Sequence, residues 1–139
     1  MMMANVLFIS HSAELNGSEL MLLQTLERID QHKYKSYLVI PHFGPLAQKA
    51  QEIGLETEII PIKWWLTEKK WILKQPFVWL WNLKSILQIS RMIDRSKIDL
   101  VFSNSSASFS GALAAKIKGL PHIWVIHEIF EEKDPLLRF

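Results

Sequence analysis

Three groups of polar side chains in this sequence sit where apolar runs end. The first is His11, Ser12, Glu14, Asn16, Gly17, Ser18 and Glu19, after the run Asn5 to Ser10. The second is Ser103, Asn104, Ser105 and Ser106; the third is His127 with Glu128. Hydroxyl and amide groups exchange hydrogen bonds with sugar hydroxyls and phosphates. A turn entering a helix aims backbone N–H groups at an anion, and imidazole donates to phosphate or sugar oxygens and titrates near neutrality. Each group also has a plainer reading. Ser, Asn and Gly cap helices and shape turns, and a lone histidine after a strand commonly has a structural role. On residue types alone both readings stand.

Other chemistries find little support. There is no G-x-G-x-x-G or Walker pattern, which argues against nicotinamide and ATP sites, and no G-x-S-x-G elbow. His127-Glu128 is followed by Ile129, Phe130 and Glu131, so H-E-x-x-H is missing. His11, His32, His42, His122 and His127 show no metal-ligand spacing, and no carboxylate pair is spaced for hydrolysis. Cysteine is absent, which excludes disulfides, zinc–thiolate sites and a cysteine nucleophile.

The elements that must position these groups alternate. Asn5 to Ser10 reads as a strand buried on both faces. A helix follows, with Ser18 as its expected N-cap and Leu22, Leu23, Leu26 and Ile29 on one stripe. Tyr34 to Ile40 is a second strand, Pro45 opens a helix that Gly54 closes, and Glu56 to Ile62 is a third strand. Lys63 to Gln75 fits neither period and reads as an excursion. Pro76 to about Arg95 is a long helix with Trp79, Leu83, Ile86, Ile89 and Ile93 on its apolar face. Asp99 to Ser103, a small-residue helix Ala107 to Lys118, and His122 to Ile126 complete the pattern. Strand–helix alternation predicts α/β architecture: a Rossmann-like open parallel sheet with helices on both faces. Residues 1–139 read as one domain.

With 139 residues, 49% hydrophobic and 22% charged, the chain has a globular composition. Its net charge of +2 gives no case for nucleic acid. No signal peptide is expected, and the uncharged run Leu100 to Ala115 is too rich in serine to span a membrane. Between Lys63 and Lys97 stand eight Lys/Arg against Glu68 and Asp94, with five of the six tryptophans. Tryptophan favours a membrane–water boundary and lysine attracts anionic headgroups. Trp64, Trp65, Lys69, Lys70 and Trp71 are therefore expected to touch a membrane surface, the alternative being tryptophans that pack within the domain.

VLFISHSAELNGSELMLLQTLERI and IDLVFSNSSASFSGALAAKIKGLPHIWVIHE, within about residues 5–62 and 98–128, resemble the N-terminal, acceptor-side half of family-4-type GT-B glycosyltransferases. The shared pattern is a strand, a loop ending in Gly, a helix beginning near a Glu, and later a Ser/Asn loop and a strand ending in His plus an acidic residue. The resemblance implies an enzyme moving a hexose from a nucleotide-sugar to a saccharide or lipid-linked acceptor in cell-surface polysaccharide synthesis. Retention of configuration is implied, with neither metal nor cofactor, in the cytoplasm or at the inner face of the plasma membrane. Asn16, Gly17 and Ser18 would approach the donor phosphates, His11, Ser12, Asn104, Ser105, Ser106 and Glu128 the acceptor, and catalytic His127 the transferred sugar. Asn16 stands where the family usually has glycine, a position that asparagine suits if positive φ is needed. The donor-binding half with its paired glutamates is absent from this sequence, so the chain alone is expected to be inactive. A membrane-recruiting subunit without catalysis and a flavodoxin-like small-ligand domain are the alternatives.

Overall fold

The computed structural model describes residues 2–63, 75–105 and 109–127. Nine elements alternate along them: β1 (Ala4–Ile9), α1 (Gly17–Arg28), β2 (Tyr34–Ile40), α2 (Pro45–Glu52), β3 (Glu56–Ile59), α3 (Gln75–Arg95), β4 (Leu100–Ser103), α4 (Ser110–Ile117) and β5 (His122–Trp124). All strands pair in parallel, in the order β3-β2-β1-β4-β5. The Rossmann-like α/β expectation is met. The ladder runs slightly past two strand ends, through Ile60 N–H to Ile40 O and Val125 N–H to Ser103 O.

The period of two along each strand divides the core. Leu7, Ile9, Tyr37, Val39 and Val101 face one side, where Ile86, Ile89, Met92 and Ile93 of α3 and Ala114 and Ala115 of α4 cover them. Val6, Phe8, Leu38 and Ile40 face the other, against Leu22 and Leu26 of α1 and Leu46, Ala47 and Ala50 of α2. Burying each large apolar side chain contributes about 1.5–3 kcal/mol. Register stacks Phe8 beside Phe102, their rings 5.0 Å apart.

The chain first winds outward from β1 to β2 and β3, then returns to β4 on the other side of β1. Right-handed crossovers in two opposite directions put α1 and α2 on one face and α3 and α4 on the other. The direction reverses between β1 and β4, and the strand ends at that reversal open a crevice. Two glycines mark helix exits: Gly54 and Gly119 have φ of 73° and 69°, each at the left-handed position that ends a helix.

One expectation changes. The apolar face of α3 is centred on Ile86, Ile89 and Ile93, but Trp79 and Leu83 are exposed, while Asn82, Ser85 and Met92 are buried. The excursion after Lys63, with its membrane-contact residues Trp64, Trp65, Lys69, Lys70 and Trp71, lies outside the described residues, as do Ser106 and Glu128.

Candidate functional site

The loops that leave the C-terminal strand ends meet in one cleft of about 640 Å³. His11, Ser12, Asn16, Gly17, Ser18 and Glu19 line it from the β1–α1 connection, Pro41 and His42 from the end of β2, Ile62 from beyond β3, and His127 from beyond β5. A hollow of about 250 Å³ around Tyr34, Ser36 and Glu56 lies at the opposite edge, where parallel strands begin and ligands are not expected.

The loop after β1 is built by local bonds. Ser10 Oγ donates to Ser12 O at 2.7 Å, Glu14 N–H to Ser12 Oγ at 3.1 Å, and Leu46 N–H to Ala13 O at 2.9 Å, which fastens the loop to α2. Helix α1 starts at Gly17, two residues earlier than an N-cap at Ser18 implies. Its N-cap is Asn16, not Ser18, and the Asn16 side chain makes no capping bond. Asn16 has φ of −80° and ψ of −177°, so this turn makes no use of the tolerance of asparagine for positive φ. A Cβ on Gly17 would meet nothing within 4 Å, so the backbone there is bare toward the cleft. The first-turn N–H groups of a helix have no intrahelical partners; in α1 they belong to residues lining this cleft and suit an anion or a sugar oxygen.

One buried side chain joins the three polar loops. Asn104 Nδ2 donates to Ser18 O at 3.0 Å, and Asn104 Oδ1 lies 3.1 Å from His127 Nε2. Its backbone N–H donates to Ile9 O at 3.0 Å. Since Nδ2 is spent as the donor, Oδ1 is the acceptor, so His127 carries its proton on Nε2 in this arrangement. Asn104 thus fixes the tautomer and the position of His127 while remaining behind the cleft wall. Ser105 is also buried, its carbonyl accepting the indole N–H of Trp124. Neither Asn104 nor Ser105 lines the cleft.

Below that loop, His122 Nε2 lies 2.8 Å from Ser103 Oγ, and burial lowers the His122 pKa from its ordinary 6.5. Gly111 makes this packing fit: a Cβ there would stand 2.5 Å from Ile9 Cδ1 and 2.8 Å from Ser103 Oγ.

Two further residues line the cleft that the sequence pattern gives no site role, Glu19 and His42. Glu19 is fully buried; its Oε1 accepts from Ser18 Oγ at 2.9 Å and lies 3.8 Å from His11 Nδ1. Among the described residues its Oε2 finds no hydrogen-bond partner. The signal was its place in the first turn of α1, where a carboxylate gains from the helix dipole. His42 follows directly on β2 and Pro41, the same strand-end position that drew attention to His127. Among the described residues the lining therefore holds three imidazoles and one carboxylate, and no Lys or Arg. Among the described residues no three His, Cys, Asp or Glu converge on a common point that could hold a metal ion.

Solved structures share the fold. MurG of Acinetobacter baumannii superposes with a TM-score of 0.66 at 18% identity, over 87% of this chain and 34% of its own. HepE of Anabaena, solved with UDP and glucose, gives 0.64 at 18% identity, over 91% and 30%. A glycosyltransferase of Rickettsia africae gives 0.63 at 15% identity, over 94% and 32%. The chain thus spans about a third of the length of each. No curated protein matches it. The model of Glycosyltransferase Family 4 matches residues 15–139, which takes in the start of α1, the Asn104 loop and His127. The chain belongs to Glycosyltransferase Family 4, with the Rossmann-like fold of the N-terminal domain of GT-B enzymes.

Proposed function

We propose that this chain is the acceptor-binding half of a retaining glycosyltransferase that moves a hexose from a nucleotide-sugar to a saccharide or lipid-linked acceptor. The observation that carries the reading is the convergence of the α1 entry, Asn104 and His127 at the crevice between β1 and β4. In the proposed roles, Asn16, Gly17 and Ser18 present backbone N–H groups to the donor phosphates, and His11 and Ser12 meet the acceptor. His127, held by Asn104, meets the transferred sugar, while Asn104 and Ser105 shape the wall from behind. Ser106 and Glu128 complete the acceptor side in this reading. A second lobe closing over the cleft would bind the nucleotide. HepE, solved with UDP and glucose, is a neighbour in fold that handles such ligands.

The physiological setting we assign is cell-surface polysaccharide synthesis, in the cytoplasm or peripherally at the inner face of the plasma membrane. No described helix is long and apolar enough to cross a membrane. The site is tested by titrating the isotopically labelled chain with UDP and with acceptor-type oligosaccharides, followed by amide and imidazole NMR shifts. Saccharide should move His11, Gly17, Ser18 and His127. Shifts confined to the opposite edge, or none at saturating saccharide, would overturn the site.

A further inference from the structure

The cleft that takes the reacting end of the acceptor, as proposed above, has no Lys or Arg among its described lining residues. Cations stand immediately beside it. Ile62 lines the cleft, and the next residue, Lys63, lines a second hollow of about 460 Å³ with Phe77, Val78 and Trp81 from the start of α3. One step of backbone joins the two spaces.

That junction is fixed by hydrogen bonds. Asn82 Oδ1 accepts from Lys63 N–H at 3.1 Å, and Ser85 Oγ donates to Pro61 O. Asn82 and Ser85 are both buried, so the first half of α3 is clamped to the chain that leaves β3. The parallel crossover from β3 to β4 puts this end of α3 at the edge where the cleft opens. Trp79 agrees with that placement, its ring 5.3 Å from the ring of Phe109 just before α4.

The hollow combines two kinds of surface. Its wall is aromatic and open, with Phe77 exposed by 72% and Trp81 by 45%. Its rim is cationic. The Nζ atoms of Lys63 and Lys84 lie 5.5 and 5.8 Å from the Trp81 ring centroid, near the outer limit of cation–π contact at about 6 Å. Among the described residues neither ammonium meets a carboxylate, and the sequence has no Asp or Glu from Gln75 to Ile93. An apolar aromatic wall with a few placed polar groups is the usual make-up of a small-ligand site. Here those groups carry positive charge that no side chain neutralises.

We propose that this hollow is a distal acceptor subsite for an acidic sugar, whose ring packs against Phe77 and Trp81 and whose carboxylate pairs with Lys63 and Lys84. The reacting end of the same acceptor lies in the cleft beyond Ile62. A carboxylate draws the two ammoniums from a weak contact with the indole into a charge-assisted one. A neutral sugar uses the same wall and leaves both charges unmet, which is the basis of selection. The inference deepens the function proposed above by naming the acceptor as an acidic oligosaccharide, and it rests on that reading for the position of the reacting end.

The test titrates the isotopically labelled full chain with tetragalacturonate and with its carboxyl-reduced, neutral counterpart. The Trp81 indole N–H is followed beside the Gly17 amide and the His127 ring. The acidic ligand should bind several-fold more tightly than the neutral one, and added salt should narrow the gap. Lys63→Gln with Lys84→Gln should remove the preference, at roughly two- to fivefold per cation, and leave neutral binding unchanged. Trp81→Leu should weaken both ligands alike. All three side chains are exposed, and circular dichroism checks that each variant folds. Equal affinity for the two ligands, or a preference that survives the double substitution, would overturn the proposal. So would inorganic pyrophosphate binding as tightly as tetragalacturonate, capture by phosphatidylglycerol vesicles with no saccharide shift, or a dimer in light scattering that Trp81→Leu dissociates. Shifts at Trp81 without shifts at Gly17 and His127 would sink the cleft assignment, and the reverse would sink the subsite, so the two failures are told apart.

Discussion

Asn104 has no place in the cleft lining, yet it holds together the loops that form it. Replacing it with Ala removes both of these bonds. A net hydrogen bond contributes about 0.5–1.5 kcal/mol, so Asn104→Ala should lower unfolding stability by about 1–3 kcal/mol in denaturant titration. It should also change the His127 ring ¹⁵N shifts, which report the tautomer; unchanged shifts would show that His127 is positioned by something else. His122 provides a pH test. Its pKa is lowered by burial, so the folded chain favours the neutral ring more than the unfolded chain does. Its contribution is therefore intact above the ordinary value of about 6.5 and is lost as pH falls through the lowered one. NMR titration should place the His122 midpoint below the ordinary histidine value of about 6.5. At this scale the sequence showed polar residues at strand ends, which is why His11, Gly17, Ser18 and His127 could be singled out. It could not show that Asn104 and Ser105 turn inward while Glu19 lines the wall, because those positions depend on loops distant in sequence packing together.

Helix ends carry a different kind of information. After α2 and α4, Gly54 and Gly119 take the left-handed position, and Leu55 N–H and Leu120 N–H reach back to Ala50 O and Ala115 O. Helix α3 ends with the same bond, Ile98 N–H to Ile93 O, but its left-handed residue is Lys97, at φ 50°. A side chain there costs about 1–2 kcal/mol, and glycine repays part of that through its freer unfolded chain. Lys97→Gly is thus expected to raise stability by up to about 1 kcal/mol; a loss in denaturant titration would show that the Lys97 side chain itself matters. The Lys97 carbonyl that accepts Asn5 Nδ2 at 3.0 Å remains in the variant. Gly111 acts in the opposite direction. A valine there must displace Ile9 and Ser103, and overpacking of this kind costs about 1–3 kcal/mol. Gly111→Val should lower the midpoint of thermal unfolding and disturb the Ser103–His122 contact. Elements were the most legible level: apolar runs of strand length separated by helical stripes gave all nine described elements within a few residues. The rotation of α3 is not legible in its sequence, because leucine and tryptophan at helical spacing look alike whether they face a core or, as Trp79 and Leu83 do, solvent. The inward side is the one that carries Ile86, Ile89, Met92 and Ile93, with buried Asn82 and Ser85 bonded to Lys63 and Pro61.

At the scale of the described residues, the proposed site is a single wall. Its cleft gathers groups from β1, β2, β3 and β5 at one edge of the sheet, held by Asn104 after β4, and is open above. Transfer from a nucleotide-sugar leaves a diphosphate whose developing charge must be met in the transition state. Here the described lining provides helix-start N–H groups and three imidazoles, with no Lys or Arg, and Glu19 adds a carboxylate. Removing even one donor from a preorganised anion site costs about 10²–10³ in rate, so a wall lacking its facing donors should fall further. We therefore expect these 139 residues, incubated with common nucleotide-sugars and an oligosaccharide acceptor, to release nucleotide no faster than buffer. The same preparation should still bind the acceptor by NMR. Turnover above the buffer rate, abolished by His127→Ala, would show that the site is complete within this chain and that the proposed division between two lobes is wrong.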